Sequence, residues 1–133
     1  MLQWHVEGLL DNIRSTWNVG SIFRTSDGAG IQKLYLCGIT ATPENPKVRK
    51  TALGTEQSVL WEKFKNGVDL ARALKEKGKK LWVLEDLPQA HQLFYLDLIP
   101  ADLPVVLIVG NELSGVDPGI VELADRVISI PMY

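Results

Sequence analysis

The 133-residue sequence predicts an open α/β domain, a mostly parallel sheet with helices on both faces. Three observations carry that expectation. Short apolar runs recur along the chain, they are continuous rather than alternating, and longer amphipathic stretches separate them. A continuous run rich in β-branched residues marks a strand covered on both faces, as strands of a parallel sheet are.

In chain order, the first helix is expected after Asn18, with Val19, Ile22, Phe23 and Ser26 on one face and Gly28 and Gly30 at its exit. Leu34–Cys37 reads as a strand closed by Gly38. Val68, Leu70, Ala71 and Leu74 form the apolar stripe of a second helix, ended by Gly78, with Lys75, Glu76 and Lys77 in water. Leu81–Leu84 is a second strand, stopping at Glu85-Asp86. Pro88 suits the first turn of a helix through Leu93 and Phe94. Val105–Val109 is the strongest strand. Pro118 can open a helix containing Ile120, Val121 and Ala124, and Val127–Ile130 is a last strand ended by Pro131. In such a sheet the ligand site lies beyond the carboxyl ends of the strands, where their order reverses. Those ends contain Glu85, Asp86, Gly110, Asn111, Glu112, Pro131 and Met132.

Composition narrows the function. Fourteen basic side chains against 16 acidic ones give a net charge of −2, so a nucleic-acid partner must be held by a local patch. A hydrophobic content of 46% excludes disorder of the whole chain. The single cysteine, Cys37, excludes an internal disulfide framework and a multi-cysteine metal site, and no metal is expected. Its apolar setting predicts a buried strand residue rather than a nucleophile. No run approaches the roughly 20 apolar residues that cross a bilayer, and the first residues lack the layout of a signal peptide. The expected compartment is the cytoplasm. Neither repeats nor a linker divide residues 1–133, which read as one domain.

Several common signatures fail. Gly28-Ala29-Gly30 opens like a dinucleotide fingerprint, but Lys33 stands where the third glycine belongs, and a helix pattern precedes it. No phosphate-binding loop ends in Gly-Lys-Ser or Gly-Lys-Thr. Ser114 lacks a Gly-x-Ser-x-Gly setting, and His5 and His91 lack ligand spacings, His91 suiting a helix surface or an interface.

Two segments remain. Gly110-Asn111-Glu112-Leu113-Ser114-Gly115 directly follows the strongest strand. Gly110 allows close approach to the backbone, Gly115 permits a left-handed turn, and Asn111 can tie the loop through both its acceptor and its donors. Glu112 can either bind a polar ligand group or cap nearby backbone. In Asn18-Val19-Gly20-Ser21-Ile22-Phe23-Arg24-Thr25, Asn18 can cap the helix, and Gly20 sits where a stronger helix former would serve unless something packs closely. Arg24 is either a surface cation or a fork for an RNA phosphate.

Together these segments resemble the SpoU/TrmH family of S-adenosylmethionine-dependent RNA 2′-O-ribose methyltransferases. The resemblance rests on Asn12-Ile13-Arg14-Ser15, residues 18–25, Gly28-Ala29-Gly30-Ile31, Lys50-Thr51-Ala52-Leu53-Gly54, Gly110-Asn111-Glu112-x-Ser114-Gly115 and Ile130-Pro131-Met132. It implies a SPOUT-type α/β domain with a trefoil knot near its carboxyl end, a homodimer, and S-adenosylmethionine as cofactor. By the same resemblance Arg24 is the catalytic arginine, Asn18 supports it and Glu112 supports the second motif. Leu84, Glu85, Gly110, Asn111, Ile130 and Met132 would hold the cofactor. Arg14, Lys47, Arg49 and Lys50 would meet structured RNA, transfer or ribosomal; neither DNA nor a membrane is expected as a partner. Lys47, Arg49 and Lys50 lie on a stretch containing Pro43 and Pro46 and are expected on a substrate-facing loop. The cluster Lys75, Lys77, Lys79 and Lys80 reads as a solvated helix end.

Family members continue with a glycine-containing loop, a Ser-Leu-Asn-Val-type motif and a final helix, whereas this sequence stops at Tyr133. The domain is therefore expected to be truncated at its carboxyl end, with the knot incomplete and apolar faces exposed or paired with another chain. The alternative function is a catalytically incompetent RNA-binding or assembly protein.

Overall fold

The computed structural model describes residues 5–85, 91–92 and 104–129. Its strands are β1 (Val6–Asp11), β2 (Lys33–Cys37), β3 (Leu60–Phe64), β4 (Lys80–Leu84), β5 (His91–Gln92), β6 (Val105–Val109) and β7 (Arg126–Ser129). Among the described residues they form one sheet in the order β3-β2-β1-β6-β4-β7-β5, and every pairing is parallel. The helices are α1 (Thr16–Ala29), α2 (Pro46–Ala52), α3 (Gly67–Glu76) and α4 (Pro118–Leu123), with a short 3-10 turn at Thr55–Gln57.

Alternation along the strands sends successive side chains to opposite faces and builds two cores. Leu9, Val83, Val106 and Ile108 meet Ala71 and Leu74 of α3 and Ile120 of α4. Leu10, Leu34 and Leu36 meet Val19 and Phe23 of α1 and Val48 and Ala52 of α2 on the other face. The strands expected at Leu34–Cys37, Leu81–Leu84 and Val105–Val109 and the α3 pattern fall where the apolar runs placed them, the last strand does so through Ser129, and α4 ends at Leu123, with Ala124 already extended. Gly78, with φ of +89°, follows α3 in the left-handed conformation that ends helices. Cys37 is fully buried, and its thiol is pushed up to about 12 by that burial and by the nearby Asp11 carboxylate, which suits packing rather than nucleophilic chemistry.

Four local expectations need correction. The first helix starts at Thr16, two residues before Asn18, because the Ser15 side chain caps it by accepting the Asn18 N–H at 3.1 Å. The Lys47–Lys50 stretch is the helix α2, with Pro46 in its first turn and the Asn45 side chain as its cap. The helix expected from Pro88 through Phe94 is interrupted by β5, whose His91 and Gln92 pair in parallel with Ile128 and Ser129 of β7. The rest of that segment lies outside the described residues, as do Ile130, Met132 and the carboxyl-terminal stretch for which the resemblance implies a knot. Finally, β1 and β3 are strands with no sequence expectation behind them. Glu7, Gly8 and Asp11 break the apolar run of β1, and the edge strand β3 carries Glu62 and Lys63.

Gly20 is where α1 and α2 touch. A Cβ there would lie 1.8 Å from Thr51 Oγ1, 2.4 Å from the Val48 carbonyl oxygen and 2.8 Å from the Ala52 nitrogen. The Thr51 hydroxyl also donates to the Trp17 carbonyl at 3.0 Å, tying the two helices at the same level. Gly20→Ala is therefore expected to cost about 1–3 kcal/mol by overpacking. Gly28→Ala, in the same helix with nothing within 4 Å of its added methyl, should be neutral or stabilising by up to about 1 kcal/mol. Chemical denaturation of both variants checks the contrast.

Candidate functional site at the sheet switch point

Strand order reverses between β1 and β6: the chain builds β2 and β3 to one side of β1, and β6 separates β1 from β4 on the other. The loops leaving β1 and β6 therefore diverge at their carboxyl ends and open the crevice that such sheets use for ligands. Asn12–Ser15 leads from β1 into α1, and residues 110–115 leave β6.

Glu112 joins these two loops. Its Oε1 accepts the Arg14 N–H at 2.8 Å, and its Oε2 accepts the Ser15 N–H at 2.9 Å and the Asn18 amide at 3.3 Å. Burial, the largest single influence, opposes ionisation of this carboxyl. The N–H groups of Arg14, Ser15 and Glu112 itself, with the Asn18 side chain, outweigh it and hold the group below its usual 4.5. Of the two sequence readings of Glu112, the backbone cap is the one observed.

The rest of the 110–115 loop is fixed from within. Asn111 Nδ2 donates to the Asn12 carbonyl at 2.9 Å, while Oδ1 accepts from Leu113 N–H at 2.9 Å and Ser114 N–H at 3.0 Å. Gly115 has a φ of +77°, and a Cβ on it would lie 1.8 Å from Glu85 Oε1. That oxygen accepts the Val116 N–H at 3.0 Å, so Glu85 ties the end of β4 to the same loop. The side of Gly110 that a Cβ would fill is occupied by the Gly115–Val116 backbone at 2.5–2.6 Å. Its glycine thus serves closure of the loop on itself.

A cavity of about 310 Å³ lies in the crevice, lined by Ile13, Asn18, Ser21, Ile22, Thr25, Val109, Gly110 and Glu112. A second, of about 270 Å³, is lined by Ser21, Arg24 and Thr25. Ser21 and Thr25 wall both, so Arg24 stands one helix face away from the Gly110–Glu112 loop. A third, apolar cavity of about 250 Å³ continues between α1 and the sheet and includes Ile22, Thr25, Leu84, Leu107 and Val109. Sequence reasoning did not single out Ser21 and Thr25 as wall residues. Their i, i+4 spacing on the face shared with Arg24 was the available signal.

The structure brings Asn18, Glu112, Gly110 and Arg24 together around these cavities, with Leu84 and Glu85 at the end of β4 nearby. Arg14 is exposed beside the crevice. Lys47 and Lys50 are exposed on α2, whereas the Arg49 guanidinium turns back to donate to the carbonyls of Pro43 and Glu44 at 2.7 and 3.0 Å. At the other end of the sheet, Lys79 pairs with Glu7, and Lys75 with Asp125 at 3.6 Å. No group of three or more metal-ligating side chains occurs among the described residues, and no helix among them is long and apolar enough to cross a membrane.

Fold and crevice define a doubly wound parallel α/β domain with an open crevice at the topological switch point. The chain belongs to the SpoU rRNA Methylase family, whose sequence profile matches residues 7–133. It is 35% identical over 127 residues to the tRNA (guanosine(18)-2′-O)-methyltransferase of Aquifex aeolicus, covering 92% of this chain and 56% of that one. The crystal structure of the A. aeolicus TrmH/SpoU tRNA modifying enzyme matches with a TM-score of 0.82 at 33% identity, over 98% of this chain and 64% of that one. The AdoMet-bound rRNA methyltransferase from Sinorhizobium meliloti matches with a TM-score of 0.88 at 25% identity, over 99% and 49%. The chain spans about half the length of the curated relatives it matches. The fold is thus the mostly parallel α/β arrangement of the SPOUT class that the sequence predicted.

The Glu112 clamp has a pH signature. A carboxyl held below its ordinary value stabilises the fold fully above about 4.5, and that contribution is lost as pH falls through its lowered value. In Glu112→Gln, an amide nitrogen replaces one of the two accepting oxygens and faces N–H donors. Thermal melting should show the variant less stable than the parent near pH 7, with the gap closing as the pH falls below 4.5 and through the lowered value.

Proposed function

We propose that this domain transfers a methyl group from S-adenosylmethionine to a ribose 2′-hydroxyl of structured RNA, a transfer or a ribosomal RNA. The observation that carries the reading is the shared Ser21–Thr25 wall. It sets the exposed Arg24 beside a crevice bounded by the Gly110–Glu112 loop. Two reactants held side by side by one rigid helix is what a transfer between bound molecules requires.

The residues present fit the cofactor. The crevice and its apolar continuation share Ile22, Thr25 and Val109, and together they have the size and the mixed lining of a small-molecule site. Leu84, Glu85, Gly110 and Asn111 would hold it, with Ile130 and Met132 completing the set. When bound, S-adenosylmethionine supplies an electrophilic methyl group on a sulfonium.

The chain's own groups then divide the work. Arg24 presents a guanidinium, which has donors and no acceptor, so its part is to bind and not to serve as the base for the 2′-hydroxyl. Its guanidinium would bind and orient the ribose and the adjoining phosphate, and a phosphate oxygen of the RNA would take the hydroxyl proton while the methyl–sulfur bond breaks in favour of the methyl–oxygen bond and leaves a neutral thioether. Asn18 and Glu112 act through position, holding the start of α1, and with it Arg24, against the β6 loop. Arg14, Lys47 and Lys50 give phosphates a cationic approach, with Arg49 supporting the loop before α2. The homodimer implied by the resemblance belongs to the same proposal, with sedimentation as its check.

The test combines calorimetric titration with S-adenosylmethionine and nucleoside mass analysis of small RNA incubated with the chain and the cofactor. Saturable cofactor binding and a 2′-O-methylated nucleoside are expected. Arg24→Ala should lower turnover by about 100-fold or more while leaving cofactor binding within a few-fold. Saturable RNA binding by a folded chain that takes up no cofactor would instead assign the domain to RNA binding or assembly.

A further inference from the structure

We propose that Asn12 is a positioning residue for the crevice, acting on the 110–115 loop through Asn111, and that its left-handed backbone rather than its amide does this. The role rests on the cofactor reading above and deepens it by naming what sets the cofactor-facing loop from the β1 side.

Among the described non-glycine residues only Asn12 and Leu53 have a positive φ, +56° and +53°. Leu53 closes α2, where helices commonly take up that conformation. Asn12 closes no helix and directly follows the last residue of β1. Most residues with a Cβ are strained there, and asparagine is among the few that tolerate it. A rare conformation held beside a crevice points to a contact that needs it.

Three contacts meet at Asn12. Its N–H donates to the Cys37 carbonyl at 3.1 Å, which carries the β1–β2 ladder one residue further. Its Oδ1 accepts the Ile39 N–H at 3.0 Å, in room that Gly38 leaves, since a Cβ on Gly38 would lie 1.9 Å from that oxygen. Its carbonyl accepts Asn111 Nδ2 at 2.9 Å. This third contact stands where the sheet comes apart. The β1–β6 pairing ends with Leu10 opposite Val109, and the same register carried two residues further sets Asn12 opposite Asn111. The Asn111 side chain thus takes over where the backbone ladder stops.

From there the contact reaches both walls of the crevice. Asn111 Oδ1 accepts the Leu113 and Ser114 N–H groups, and its backbone exchanges two bonds with Gly115 at 3.1 and 2.9 Å. Gly110 and Glu112, on either side of Asn111, line the crevice, and so does Ile13, directly after Asn12. Rotation of the peptide between Asn12 and Ile13 would therefore disturb the two walls together. The Asn12 amide has a different task. It holds Ile39, in the loop after β2, which does not line that crevice.

Glycine and alanine at position 12 both lack the amide and differ in the backbone they favour. Glycine enters the left-handed region about as readily as the right-handed one. In Asn12→Ala the free chain relaxes out of that region, and binding must restore it. Apparent affinity then falls by the fraction of molecules that remain competent.

The experiment is calorimetric titration with S-adenosylmethionine of the parent, Asn12→Gly, Asn12→Ala, Asn111→Asp and the double variant Asn12→Ala with Asn111→Asp. Melting curves establish which of them fold. Asn12→Gly and Asn12→Ala should both melt below the parent, having lost the bond to Ile39. Asn12→Gly should nevertheless bind within about threefold of the parent, whereas Asn12→Ala should lose about tenfold. Asn111→Asp turns an oxygen toward the Asn12 carbonyl and breaks the contact, so adding Asn12→Ala should cost less than about twofold more. A tenfold loss in Asn12→Gly overturns the proposal, whether or not Asn12→Ala folds, because it assigns the effect to the amide. Lower melting of Asn12→Ala with unchanged affinity also overturns it and leaves Asn12 a structural residue. A full tenfold loss added on top of Asn111→Asp does the same for the route through Asn111. If the folded parent takes up no cofactor, the cofactor reading itself falls and takes this role with it.

Discussion

One carboxylate organises the functional end of this molecule. Glu112 accepts backbone N–H groups from residues 97 and 98 positions earlier in the chain, across the point where the sheet reverses direction. Divergence of the β1 and β6 loops is what opens a crevice in a parallel sheet, but divergent loops have no backbone ladder of their own to fix them. Glu112 supplies the missing connection. It satisfies two backbone donors at the start of α1 and positions the helix that carries Asn18, Ser21, Arg24 and Thr25.

Much of the polar chemistry beside the crevice is committed to shape. Asn111 uses both ends of its amide on the loop and on Asn12, and Glu85 uses Oε1 on Val116 in the space that Gly115 leaves. Arg49 is folded back onto the loop preceding α2. Groups held this way keep a site in register. Arg24 differs in being exposed on a cavity wall, which suits it to the substrate rather than to the scaffold. The proposed division follows from this difference: a clamp that positions and an arginine that binds.

The sequence made the fold class legible because the strands buried on both faces are continuous apolar runs, as in Val105–Val109. It concealed β1, whose Glu7 pairs with Lys79 and Tyr35 and whose Asp11 is buried at the strand end, because both charges interrupt the run. It concealed β3 because an edge strand exposed on its surface carries polar residues, here Glu62 bonded to Lys33 across the β2–β3 pair at 3.0 Å. The start of α1 was ambiguous for a local reason. Ser15 and Asn18 are both good caps, and only the distant Glu112 takes the Asn18 side chain away from that role. The resemblance named the candidate site residues, but the partners that explain Glu112 and Gly20 lie in other parts of the chain, and no local spacing displays them. Gly20 hinted at a close contact without identifying α2 as its source.

The crevice between the β1 and β6 ends is the proposed cofactor site, kept in shape by Glu112. The most direct measurement is an amide NMR titration of the folded chain with S-adenosylmethionine. The signals expected to move are those of Gly110–Gly115, of Leu84 and Glu85, and of Arg14, Ser15 and Asn18, all within one saturable transition. Saturable shifts confined to the opposite face, around α3 and α4, with those residues unmoved, would contradict it.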